Sequence, residues 1–120
     1  MKLSNFYEVL KGWGKEIWFW NSDKYCYKHL SIKRGKRCSW HYHKEKSEIF
    51  HCIEGPVTII YSFGDDATQA ESLILKVDEV FHVPPLLRHQ MIADQGKDVL
   101  LVEVSTTHKD EDSYRVIKGD

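Results

Sequence analysis

Apolar residues in this chain come in brief runs or strict alternation with polar ones, and helical periodicity is scarce. The exception is LSNFYEVL (residues 3–10), which predicts either one short helix or an arm. The remaining pattern predicts strands over residues 16–21, 25–33, 37–43, 48–54, 57–63, 72–77, 79–84, 89–93 and 98–105. These segments are rich in β-branched and aromatic residues, and the turn signals NSD, RGK, EGP, GDD, PP and DQGK separate them. Eight or nine short strands without intervening helices indicate an all-β fold, an antiparallel sandwich or barrel rather than a parallel α/β sheet. The polar stretch from Thr106, THKDEDSYRVIKGD, reads as either a loose end or a segment folded back over a site.

Size and charge narrow the picture. With 120 residues and 42% hydrophobic content, the chain suits one domain over residues 1–120 with one core. Lys+Arg number 17 and Asp+Glu 18, a net charge of -1, so no general attraction to nucleic acid or anionic membrane is built in. Cys26, Cys38 and Cys52 are odd in number and lack a CxxC pair, which suits reduced, buried thiols. The N-terminus has no apolar run long enough for a signal peptide, and nothing approaches a membrane span. A soluble, cytoplasmic protein is expected.

The chemistry concentrates in GKRCSWHYHKEKSEIFHCIEG, Gly35 to Gly55. Successive strand side chains alternate faces, so His41 and His43 point to one side, close enough to chelate one ion. The KEKS link (44–47) then predicts a hairpin whose second strand opens with Glu48, and a fourth donor, His89, follows the stiff Pro84-Pro85 pair. Three imidazoles and one carboxylate leave coordination positions open, as in a catalytic rather than a closed structural site. Such N/O ligation suits one divalent ion, whether Mn, Fe, Co, Ni or Zn. An HxH pair alone is more often a surface or hydrogen-bonded pair; the full spacing carries the assignment.

That spacing resembles the first motif of the cupin superfamily, G-x5-H-x-H-x4-E-x6-G, at Gly35, His41, His43, Glu48 and Gly55. The second motif, G-x5-P-x-G-x2-H-x3-N, is matched at Pro84 and His89, whereas Asp78, Leu86 and Ala93 stand where the family has two glycines and an asparagine. The resemblance spans about residues 28–105 and implies a jelly-roll (double-stranded β-helix) barrel holding a metal. Leu86 is at odds with its turn, because leucine adopts positive φ less cheaply than glycine.

A looser likeness adds a candidate activity. Gly12-Trp13-Gly14 near the start and Asp112-Ser113-Tyr114-Arg115 near the end resemble the C-terminal domain of type II mannose-6-phosphate isomerases. This resemblance implies a metal-dependent isomerase acting on a small sugar or sugar phosphate. Such a reaction needs a Lewis acid and a base that carries a proton between carbons. Glu103, the single charge in VLLVEVS, is the candidate base if it points inward, and an outward strand residue otherwise. Lys28 is either a donor to substrate oxygens or a solvated strand residue. Arg115 either clamps a phosphate or carboxylate or adds surface charge. Trp13, Trp18, Trp20 and Trp40 suit core or dimer packing, or stacking on a sugar, and cupins often form homodimers through such sheets. Of the remaining histidines, His82 and His108 are those expected at the pocket rim. An iron-dependent dioxygenase and a non-catalytic ligand-binding module are the alternatives, since the superfamily includes both.

Overall fold

A computed structural model describes residues 1–120. Eleven strands form two antiparallel sheets. The first six are β1 (Tyr7–Lys11), β2 (Gly14–Asn21), β3 (Cys26–Ile32), β4 (Trp40–Tyr42), β5 (Glu48–Glu54) and β6 (Val57–Ser62). The others are β7 (Glu71–Leu75), β8 (Val80–Val83), β9 (Arg88–Ile92), β10 (Val99–Ser105) and β11 (Tyr114–Ile117). One sheet has six strands in the order β1-β2-β3-β10-β5-β8, and the other has five in the order β11-β4-β9-β6-β7. The strands cross between sheets as in a jelly roll, which is the expected architecture.

Alternation decides which side chains line the interior. On β3, Cys26, Lys28, Leu30 and Ile32 are buried while the residues between them are more open. On β10 the inward set is Val99, Leu101, Glu103 and Ser105. Register places Glu103 between Lys28 on one neighbour and Phe50 on the other. The core includes Trp13, Leu30, Ile32, Phe50, Ile59, Met91 and Leu101. Each fully buried side chain of this size contributes about 1.5–3 kcal/mol relative to exposure. All three cysteines are free and buried.

The structure decides two open alternatives and corrects one expectation. Residues 7–11 form not a helix but an edge strand, paired with β2 from Tyr7↔Trp18 to Lys11↔Gly14. The polar C-terminal stretch is folded back rather than a loose end: β11 pairs with β4, setting Arg115 beside His41 and Tyr114 beside Tyr42. Finally, β4 and β5 do not form a hairpin, because β4 belongs to the five-stranded sheet and β5 to the six-stranded one. The KEKS link crosses between sheets, since Glu48 finds its ladder partners on β8 and β10.

The second motif adopts the left-handed backbone that glycine favours without having the glycines. Asp78 (φ 69°) and Leu86 (φ 75°) are the two non-glycine residues with positive φ, and they stand at the two glycine positions. Backbone hydrogen bonds to distant segments hold both: Asp78 N–H donates to Cys52 C=O at 2.7 Å, and Leu86 N–H to His43 C=O at 2.7 Å. A left-handed non-glycine residue costs roughly 1–2 kcal/mol, and Leu86 is largely exposed, so it recovers little by packing. Leu86→Gly is therefore expected to stabilise the protein by roughly 0.5–1 kcal/mol, after the extra chain entropy of glycine is subtracted. Urea unfolding should show a higher midpoint at an unchanged slope.

Candidate metal centre

Three of the predicted donors, His41, His43 and Glu48, line a cavity of about 540 Å³, and the buried His89 ring joins them as the fourth member of the cluster. His41 on β4 lies directly across the ladder from His89 on β9, with ring centroids 4.4 Å apart. His43, just past β4, brings its ring to 5.1 Å from His41 and 5.9 Å from His89. Glu48 approaches from the opposite sheet, its Oε1 lying 3.0 Å from His89 Nε2 and 3.5 Å from His43 Nε2. One donor atom from each of the four residues lies within 4.8 Å of all the others.

Hydrogen bonds fix how the rings present themselves. Nδ1 donates to a backbone carbonyl in all three: His41 to Ser39 at 3.0 Å, His43 to Asp112 at 2.9 Å and His89 to Leu87 at 3.0 Å. A carbonyl only accepts, so the proton sits on Nδ1 and the Nε2 lone pair is left for the centre. Consequently Glu48 Oε1 and His89 Nε2 are buried with no hydrogen-bond donor, although they face each other. Two opposed lone pairs without a proton between them are costly, and a shared cation resolves both. The donor set thus fits a divalent ion.

Charge states agree with that role. Burial, with His89 and His43 as neighbours, holds His41 well below the usual imidazole range, so it stays neutral. Burial alone would raise the Glu48 carboxyl, but the Lys46 ammonium beside it holds it well below its ordinary value. Neutral imidazoles and an ionised carboxylate are the forms that bind metal.

A chain of buried charges continues along the cavity wall. Lys46 Nζ lies 3.2 Å from Glu48 Oε2 and 2.7 Å from Glu103 Oε2, and Lys28 Nζ lies 3.7 Å from that same Glu103 oxygen. Lys28 also sits over the Trp18 ring, 3.9 Å from its centroid. His108 Nδ1 receives both lysines, Lys46 at 3.1 Å and Lys28 at 3.4 Å, while its Nε2–H donates to Asp110 at 3.0 Å. Lysine only donates, which sets this tautomer. Burial, then Lys28 and Lys46, keep His108 below its usual value and neutral.

Glu103 and Lys28 therefore both point inward, and Arg115 lines the cavity with its side chain exposed and outside any ion pair. His108 stands at the pocket as expected, but His82 does not. It lies on the outer side of β8, exposed, within 3.2 Å of Ser47 Oγ. Trp40 is fully buried, Trp13 belongs both to the core and to the cavity wall, and Trp18 lines the cavity. Sequence reasoning missed Lys46, because a lysine within KEKS reads as a solvated turn. Its only signal is position, two residues before Glu48 and so on the same side of an extended segment.

Two antiparallel sheets closing on a His/Glu cluster of this kind define a cupin. The chain belongs to that family: the Cupin domain model matches residues 28–105. No curated protein matches the chain. Among solved structures, the capsular polysaccharide assembling protein CapF from Staphylococcus aureus is similar at 19% identity and a TM-score of 0.80, over 92% of this chain and 34% of that one. The chain thus spans about a third of the length of the CapF chain. KdgF from Halomonas sp. is similar at 13% identity and a TM-score of 0.72, over 89% of both chains. PAC13 from Streptomyces, solved with uridine, matches at 11% identity and a TM-score of 0.78, over 98% of this chain and 92% of that one. At these identities the likeness is one of fold. No helix in the chain is long and apolar enough to cross a membrane.

Proposed function

We propose that this chain is a metal-dependent, isomerase-type enzyme that moves a proton on a small sugar or sugar phosphate. The observation that carries the reading is the placement of a second buried carboxylate, Glu103, one lysine amine away from the metal cluster. A divalent ion held by His41, His43, Glu48 and His89 would supply a Lewis acid for a carbonyl or hydroxyl oxygen. Glu103, kept beside Lys46 and Lys28, acts as the base that takes and returns the proton. Lys28 donates to substrate oxygens from the β3 side. Arg115, with no carboxylate partner of its own, receives a phosphate or carboxylate at the cavity edge. Trp18 offers a ring face to the apolar side of a sugar.

The resemblance to type II mannose-6-phosphate isomerases supports the reading. So do two structural neighbours: CapF is a capsular polysaccharide assembling protein, and Pac13 is a nucleoside dehydratase. The test is incubation of Mn- or Zn-loaded protein with a panel of aldoses and aldose phosphates in deuterated water. Deuterium should enter the carbon beside the carbonyl as the ketose forms, and His41→Ala should show neither. Substrate-dependent oxygen consumption requiring Fe(II), with no deuterium incorporated, would replace this reading with that of a dioxygenase.

A further inference from the structure

The C-terminal segment that folds back over the barrel carries one fully engaged side chain. Asp112 is buried and ends the short 3-10 turn Asp110–Asp112 that leads into β11. Its Oδ1 accepts the backbone N–H of Lys44 at 2.8 Å and of Glu45 at 3.1 Å. Its Oδ2 accepts Glu45 N–H at 3.2 Å and Lys46 N–H at 3.0 Å. The carbonyl of the same residue accepts His43 Nδ1–H at 2.9 Å. One residue thus holds the ring of a metal donor and three of the four amides of the link between His43 and Glu48, the link that also delivers Lys46.

We infer that Asp112 is a positioning residue of the metal centre: its carboxylate sets the 44–46 link, and through it the spacing of His43, Lys46 and Glu48. Both carboxylate oxygens are needed, because each faces N–H donors and an ionised acceptor binds them more strongly than a neutral one. In Asp112→Asn one oxygen becomes an NH₂ group set against an N–H, while the backbone carbonyl that holds His43 is untouched. The substitution therefore isolates the link from the ring.

Two readouts test this, and the first rests on the cluster being the metal site proposed above. Zinc affinity, measured by competition with a chromophoric chelator, should weaken about 10-fold or more in Asp112→Asn, the scale on which partners behind metal donors act. Glu111→Ala, an exposed neighbour, should bind as wild type. The second readout needs no metal: amide hydrogen exchange at Lys44, Glu45 and Lys46 should quicken at least 10-fold in Asp112→Asn, with β3 and β10 unchanged. Wild-type zinc affinity in Asp112→Asn, or unaltered exchange at the three amides, would overturn the inference. Should wild type itself take no zinc, the functional reading falls, and the exchange measurement alone decides the role of Asp112.

Discussion

His89→Ala is expected to leave a folded protein without its metal and with turnover reduced roughly 100-fold or more, beyond the 10–100-fold that follows loss of a partner behind a donor. The ring is inaccessible to solvent, its Nδ1–H is committed to Leu87, and its Nε2 is left opposite Glu48 Oε1. Nothing else in the cluster can replace that lone pair. Chelator treatment of wild type should reproduce the loss of turnover. It should also lower thermal stability, because an ion bound only by the native state at about 100 times its Kd contributes about 2.7 kcal/mol. Elemental analysis, a melting curve with and without chelator, and the deuterium-exchange assay check the three effects. Full metal content in His89→Ala would remove His89 from the ligand set.

Glu103→Gln separates proton transfer from metal binding. The amide is nearly isosteric but cannot take a proton, so kcat should fall by about 10²–10⁴, the usual contribution of a positioned base, while metal content stays at the wild-type level. Stability should fall as well. Lys28 loses its carboxylate partner in the cavity, whereas Lys46 retains Glu48. Breaking a buried pair costs about 3–5 kcal/mol when the remaining charge has no other partner. Here Trp18 and His108 still receive Lys28, so the loss should fall at or below the lower end. Single-turnover kinetics and chemical denaturation distinguish the two effects; unchanged kcat would leave Glu103 a purely structural counter-ion.

Much of the donor cluster was legible because chelation imposes spacing. Two imidazoles on one side of a strand require alternate positions, and Glu48 and His89 complete a pattern whose gaps match a known motif. The inward turn of Glu103 was not decidable from VLLVEVS, since Leu100, Val102 and Val104 make the outward side of β10 apolar too. Only register opposite Lys28 and Phe50 settles its direction. The N-terminal edge strand was obscured because Leu3, Phe6, Tyr7 and Leu10 are apolar at near-helical intervals, and all four are exposed. Strand β11 was hidden in a charged stretch, where four residues gain their ladder only by meeting β4. The sheet crossing after His43 is hidden for a simpler reason: a four-residue link fits a hairpin and a crossover equally well.

That crossing gives the cluster a mechanical character. His41 and His89 belong to one sheet and Glu48 opens a strand of the other, so an ion bound by all of them acts as a cross-brace between two walls that otherwise meet only through apolar contacts and loops. The brace can form only once both walls are closed and in register, since its donors are separated by as much as the interval from residue 41 to residue 89. Assembly of the donor cluster is thereby tied to completion of the barrel.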